Sequence, residues 1–386
     1  MGTPLISGPQ GPRVVLDGRP VLLLCSNNAL GLADHTRVCQ AAADAAMRWG
    51  VGAGSARSVA GTMTLHRRLE DRLASFHGTG AALLFGSGYL AAAGVIPALA
   101  GRGDVVFADA LNHPALVDGA TLSGADVFVY DHADPEHLTW GLRQHPGRAG
   151  LIATESVFSA YGGVAPLAEI VAAAQRHDVR ILVDESHALG ALGPGGRGAV
   201  AEAGLEDGVD VLVGSLGTAL GAYGGYAACD RASAHRLTAA RTFASSTAPP
   251  PPAVAGALEA LELLAEQPRR IAKLMANADV LRTELAREGY EVSGSSTHIV
   301  FLVFAAAADA QRVAQLALEE GVHVALDGAC LRLAVMAAHT RSELREAAQV
   351  LGRAALRCGV RPGTLVPVTD AHALGEVVPL HARRAA

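Results

Sequence analysis

The chain has 386 residues, 50% of them hydrophobic and 18% charged, with a formal net charge of -6. That apolar content builds a large core and excludes disorder as the main state, and the mild acidity argues against a general nucleic-acid binder. Basic charge is carried almost wholly by arginine, because Lys273 is the single lysine in the sequence.

The N-terminal stretch MGTPLISGPQGPR lacks a basic start followed by an apolar run, so no signal peptide is expected there. From Ala81 to Gly101 no charged residue interrupts about twenty positions, a length that could span a bilayer. Gly86, Ser87, Gly88 and Pro97 break that stretch into strand, turn and helix, so no membrane span is expected. Short apolar runs at Ala81–Phe85, Asp104–Phe107, Gly150–Ala153, Arg180–Val183 and Val209–Val213 read as buried strands. Helical patterns at Leu65–Phe76, Tyr89–Leu99, Pro114–Thr121 and Leu167–Arg176 alternate with them, which predicts a mostly parallel sheet covered on both faces. The proline run Pro249–Pro252 marks a break, followed by a long helical pattern over Ala253–Glu288. Strand-like His298–Phe304 and Cys330–Val335 then alternate with helix-like Ala307–Glu320 and Arg341–Leu356, which predicts a smaller α+β domain. The expected division is an N-terminal arm over residues 1–45, a large domain over 46–252, a small domain over 253–356 and a tail over 357–386. Five dispersed cysteines, with no CxxC pair, read as reduced thiols of a cytoplasmic protein and offer no metal site.

Three places carry chemistry. At Phe85-Gly86-Ser87-Gly88-Tyr89 a strand ends in a Gly/Ser turn that opens a helix, where backbone N–H groups would favour a phosphate. A tight structural turn accounts for it equally well. In Ile181-Leu182-Val183-Asp184-Glu185-Ser186-His187 a carboxylate ends a buried strand and an imidazole follows three residues later. Ligands of open α/β sheets gather at such strand ends, and a buried Asp needs a cation such as a protonated ring nitrogen. A helix-capping Asp beside a satisfied His is the competing reading. Third, His113 follows the strand around Val105–Phe107 and offers a flat ring for stacking, although a loop histidine alone says little.

Taken together, the motifs resemble the α-oxoamine synthases of pyridoxal-phosphate fold type I. The likeness runs from about Leu16 to Leu356. It rests on Ser26-Asn27-Asn28-Ala29-Leu30-Gly31-Leu32 and Gly52-Ala53-Gly54-Ser55-Ala56-Arg57, with His66 and Leu69-Glu70 following. It continues through Asn112-His113, Thr154-Glu155-Ser156-Val157-Phe158-Ser159, Asp184-Glu185-Ser186-His187 and Gly196-Arg197-Gly198. Ser245-Ser246-Thr247 and Leu331-Arg332-Leu333 complete it. The resemblance implies an aminotransferase-like α/β large domain and a homodimer with active sites at the subunit interface. It also implies a reaction that joins an amino acid to an acyl thioester with loss of carbon dioxide. By the same resemblance Ser87, Gly88 and Tyr89 would hold the cofactor phosphate, aided by Ser215 and by Ser246 and Thr247 of a second subunit. His113 would stack on the ring, Asp184 would pair with its nitrogen and His187 would contact its hydroxyl. Asn27, Glu155, Ser156 and Arg332 would line the substrate side, Asn27 and Arg332 receiving a carboxylate, which the forked guanidinium suits.

The family's lysine belongs in a segment like G-T-L-G-K-A-L-G. Here that segment reads Gly214-Ser215-Leu216-Gly217-Thr218-Ala219-Leu220-Gly221, so Thr218 takes the position of the lysine. A hydroxyl forms no stable link to the cofactor aldehyde and is a far poorer base. Ala29, Ala115, Tyr161, Gly163 and Ala334 also depart from the family's usual residues. The leading expectation is therefore an acyltransferase that moves an acyl group from a coenzyme A or carrier-protein thioester to a small amine or hydroxyl. His113 or His187 would serve as general base, and pyridoxal phosphate would bind at most noncovalently, or not at all. The alternatives are a silent subunit that pairs with a lysine-bearing paralogue, a deliberately altered enzyme, and a protein that only binds a small molecule.

Overall fold

A computed structural model of the chain describes residues 4–159, 162–292 and 294–360. Tyr161 and the tail beyond residue 360 lie outside the described residues. The chain divides into two units: His35–Ser159 with Val164–Gln267, and the remainder from both ends of the sequence together with the short segment around 162–163.

The first unit is built on a seven-stranded sheet. Its strands run in the order Ala81–Phe85, Gly225–Cys229, Val211–Ser215, Arg180–Asp184, Ala149–Glu155, Val105–Asp109, Asp126–Tyr130. The five strands from Val211–Ser215 to Asp126–Tyr130 pair in parallel, and Gly225–Cys229 pairs antiparallel with both of its neighbours. The inner strands are short and mostly apolar, as expected of a sheet buried on both faces, while the edge strand Asp126–Tyr130 is largely exposed at its start. Val106, Leu151, Leu182 and Val213 pack with Val95, Ile96 and Leu116 from helices Gly88–Leu99 and Pro114–Ser123. The uncharged stretch after Ala81 resolves into a strand, a Ser87 cap and a helix of 12 residues, short of the roughly 20 that a membrane span needs. Among the described residues no helix is long and apolar enough to cross a membrane.

The second unit carries two sheets. One has four strands in the order Ile6–Ser7, Arg13–Leu16, Arg19–Leu23, Val322–His323; the other has three, Ile299–Val303, Cys330–Ala334, Ala325–Asp327. Helices Arg269–Arg287 and Arg341–Arg357 pack on each other, burying Leu274, Leu281, Leu344 and Leu351.

Two expected boundaries move. Helix Thr36–Trp49 belongs to the large unit, not to an arm ending at 45, because it packs along Pro251–Glu266. Arg37 bridges Glu259 and Glu266 there, each at 2.6 Å. The long helix expected over Ala253–Glu288 is two helices, Pro251–Glu266 and Arg269–Arg287. Pro268, which has no N–H to continue the ladder, separates them and marks the unit boundary.

Candidate active site

Chain topology sets the site of the large unit. Glu155 and Asp184 end adjacent parallel strands and lie directly opposite one another, with Val213 opposite Asp184 on the next strand. Three strand ends therefore converge at one edge of the sheet, where ligands of this architecture bind. Asp184 is buried, and its Oδ1 accepts from the Ser186 amide at 2.8 Å. Among the described residues no arginine or lysine pairs with it in a salt bridge. Burial holds its pKa up, with the Ser186 contacts and the charge of His113 pulling the other way. Glu155 accepts from the amides of His113 at 2.7 Å and Ser159 at 3.0 Å. Burial and then the neighbouring Asp184 push it up to about 8, against those amide bonds.

His113 is fixed by its own helix. It is the N-cap of Pro114–Ser123, and its Nδ1 accepts from the Ala115 amide at 3.1 Å. A nitrogen that accepts from an amide carries no proton, so neutral His113 bears its hydrogen on Nε2 and presents a donor there. Burial lowers its pKa, with Asp184 opposing. His187 is half-buried in the segment that follows Asp184. Ser156 is fully buried and donates to the Asp184 carbonyl at 3.2 Å, so it braces the strand end from within.

The phosphate-type turn lies against the segment that holds Thr218. Ser87 caps Gly88–Leu99 by accepting from the Leu90 amide at 3.1 Å, and the amides of Gly88 and Tyr89 precede the helix's internal ladder. A Cβ on Gly88 would stand 3.0 Å from the Ser215 Cβ, and one on Gly225 would lie 2.3 Å from the Ser87 carbonyl oxygen. Only glycines allow these three strands of backbone to approach so closely. The exposed Tyr89 hydroxyl meets the Asp118 carboxylate. Thr218 is buried, and its hydroxyl donates to the Ser215 carbonyl at 3.1 Å. Ser246 and Thr247 lie on a loop bonded to Ser55 and Ala56 through Ala248 and Thr247.

In the second unit Asn27 and Arg332 are brought together, Arg332 Nη2 donating to Asn27 Oδ1 at 3.2 Å. The buried His298 is pushed down to about 3 by burial and then by the charge of Arg332. Lys273 is exposed on helix Arg269–Arg287. Among the described residues no cluster of side chains could hold a metal ion.

Two features were not anticipated from the sequence. Asp109, at the end of its strand, accepts from His132 Nδ1 at 2.9 Å and from the amides of Leu111 and Ala133, which shapes the loop leading to His113. Its strand-end position is the same signal that marked Asp184. Glu185 accepts from the amides of Ala199 and Val200 at 3.0 and 2.9 Å, and a Cβ on Gly198 would collide with it. The Gly196-Arg197-Gly198 motif held that requirement in view.

The chain belongs to the aminotransferase class I and II family, whose model matches residues 19–351. It is 42% identical over 373 residues to 8-amino-7-oxononanoate synthase of Citrifermentans bemidjiense, covering 92% of this chain and 94% of that protein. It is 45% identical over 362 residues to the protein of the same name from Anaeromyxobacter dehalogenans, covering 92% and 89%. In structure it is similar to Sphingomonas wittichii serine palmitoyltransferase, with a TM-score of 0.90 and 30% identity over 93% of this chain and 94% of that one. The expected aminotransferase-like fold is thus borne out.

Proposed function

We propose that this chain is an acyltransferase that moves an acyl group from a coenzyme A or carrier-protein thioester to a small amine or hydroxyl, with a pyridoxal-phosphate-type ring held noncovalently. The observation that carries this reading is the grouping of acidic and imidazole side chains at the strand ends of the large unit, which supports a ring cage. Asp184, His113 and Glu155 converge at the strand ends, while Thr218, tied to the Ser215 carbonyl, stands in the lysine's motif position.

The cage suits the ring and its phosphate. Asp184 is a buried carboxylate with no cationic side chain in a salt bridge to it among the described residues, and a protonated ring nitrogen supplies that partner. The turn at Ser87–Gly88, with Ser215 against it, opens the helix Gly88–Leu99 and offers its first backbone amides to a phosphate. The cage offers no amine for the aldehyde. When bound, such a ring withdraws electrons from a substrate joined to it. In this reading Tyr89 completes the phosphate turn, Ser246 and Thr247 reach the phosphate of a second subunit in a homodimer, and Asn27 with Arg332 receives a substrate carboxylate.

His187 is the general base we favour. The Nδ1 lone pair of His113 is already occupied by the Ala115 amide, so His113 serves better as a stacking ring and a donor. His187 would accept the proton of the acceptor's amine or hydroxyl as that atom attacks the thioester carbonyl. The carbon–sulfur bond then breaks, and the thiolate leaves with the proton that His187 returns.

Titration of the purified protein with pyridoxal phosphate, followed by absorbance, tests the cage; saturable binding is expected. Thioester turnover should then fall at least 100-fold in His187→Ala, with the fold intact. Turnover unchanged in both His187→Ala and His113→Ala would overturn the enzymatic reading.

A second reading is favoured by the exposure of Lys273 and the lack of a titratable group on Thr218: a silent subunit completing the site of a lysine-bearing paralogue. It requires a stable heterodimer on co-expression, with turnover abolished by removing the paralogue's lysine.

A further inference from the structure

We propose that the ring cage selects the amine form of the cofactor, pyridoxamine 5′-phosphate, over the aldehyde form. This rests on the noncovalent cage described above and goes further by naming the ligand's functional group.

The first observation is the orientation of the Thr218 hydroxyl. Its single hydrogen is directed to the Ser215 carbonyl at 3.1 Å, and among the described residues nothing donates to its oxygen. While it keeps that bond, the oxygen presents lone pairs only. An aldehyde oxygen is also an acceptor, so the two would face each other without a hydrogen between them, a costly arrangement away from water. An aminomethyl group, protonated at neutral pH, has three hydrogens to give. The place is set by the fold: Ser215 lies against the Ser87–Gly88 turn and stands two residues beyond Val213, the neighbour of Asp184.

Local charge is the second observation. The strand ends bring together two carboxyl groups, Glu155 and Asp184, opposite each other in register. The histidine among them, His113, is driven toward its neutral form by burial. A lysine at position 218 would bring a positive charge to this end of the sheet, and the threonine does not. Burial raises both carboxyl groups, and an ammonium brought beside them would draw them back toward ionisation. A ligand that carries its own ammonium gains that attraction, and one that ends in a neutral carbonyl does not.

The test is calorimetric titration of the full chain at pH 7.5 with three phosphates: pyridoxamine, pyridoxal and pyridoxine 5′-phosphate. A Lys273→Arg background keeps aldehyde adducts on the exposed lysine from being counted. Pyridoxamine phosphate should bind at least ten-fold more tightly than pyridoxal phosphate. Thr218→Val, which keeps the shape and removes the acceptor, should reduce that advantage several-fold, and Thr218→Lys should reverse the order. Equal or tighter binding of pyridoxal phosphate to the unaltered site overturns the selectivity while leaving the cage intact. Failure of all three to bind overturns the cage and the selectivity together.

Discussion

At the scale of single residues, His113 has two separable jobs. Its Nδ1 caps Pro114–Ser123 by accepting from the Ala115 amide, and its ring is offered to a ligand. His113→Ala removes both, and should cost about 1 kcal/mol of stability as the cap is lost. His113→Asn supplies another capping oxygen, so urea unfolding should find its stability within about 0.5 kcal/mol of the parent. Both variants should bind a pyridoxal-type phosphate roughly ten-fold more weakly, the size of one ring-stacking contact. Equal binding by His113→Asn and the parent would remove the stacking role. Thr218→Lys should create a covalent pyridoxal phosphate adduct at position 218 that borohydride fixes for mass spectrometry. Its absence would mean that the pocket has been reshaped beyond the one replacement. Asp184 was readable from sequence because a carboxylate ended an apolar run and an imidazole followed three residues later. The Asp109–His132 pair was not, because its partners come from the ends of two different strands, 23 residues apart. Nothing in local patterning says which strand ends are neighbours.

Among the elements, the edge of the central sheet depends on one buried ion pair. Strand Ala81–Phe85 is one of the two edge strands, and its unpaired side would invite pairing with another chain. Glu70 and Arg57, joined at 2.7 Å, occupy that side: Glu70 Oε1 accepts from the Leu84 amide at 2.9 Å, and Arg57 donates to the Leu84 carbonyl at 3.3 Å. Phe243 lies under the guanidinium, 5.0 Å from it. Glu70→Ala leaves a buried arginine without its counter-charge and an amide without its acceptor. It should destabilise the chain by about 3–5 kcal/mol and promote aggregation in light scattering. A loss under 1 kcal/mol would show that water reaches the pair. The alternation of strands and helices in the large unit was legible because each strand is a short apolar run closed by Gly, Asp or Ser. The N-terminal strands were not read at all. Arg13–Leu16 and Arg19–Leu23 are brief and broken by Gly and Pro, and Arg19–Leu23 pairs with Val322–His323, some 300 residues away. The split at Pro268 was missed because the apolar stripe continues in phase across it.

For the molecule as a whole, two sets of buried groups oppose each other in pH. Burial pushes His77 and His339 down to about 4 and His298 to about 3. Each is neutral in the folded state while the unfolded chain takes up its proton near 6.5, so the stability they contribute is present above that value and lost as pH falls. The carboxyl groups run the other way. Glu155 is raised to about 8 and Glu185 to about 7, both chiefly by burial, and Asp184 is raised as well. They keep their protons in the folded state after the unfolded chain has released them, so stability falls as pH rises toward those values. Burial also lowers His66, His113 and His323, so between about 4.5 and 6.5 six histidines outnumber the three carboxyl groups, and stability rises. Above 6.5 the histidines are neutral in both states and only the carboxyl effect remains. Glu185 acts to about 7 and Glu155 to about 8, which together remove about 2–3 kcal/mol at 1.36 kcal/mol per proton per pH unit. Urea unfolding at pH 5.5, 6.5 and 8.0 should therefore show a maximum near 6.5. Glu155→Gln should flatten the decline between 7 and 8, whatever it does to absolute stability, because no proton is left there to release. A chain as stable at pH 8.0 as at 6.5 would mean that Glu155 ionises at its ordinary value, and that the strand-end cage already contains the positive charge it otherwise takes from a ligand.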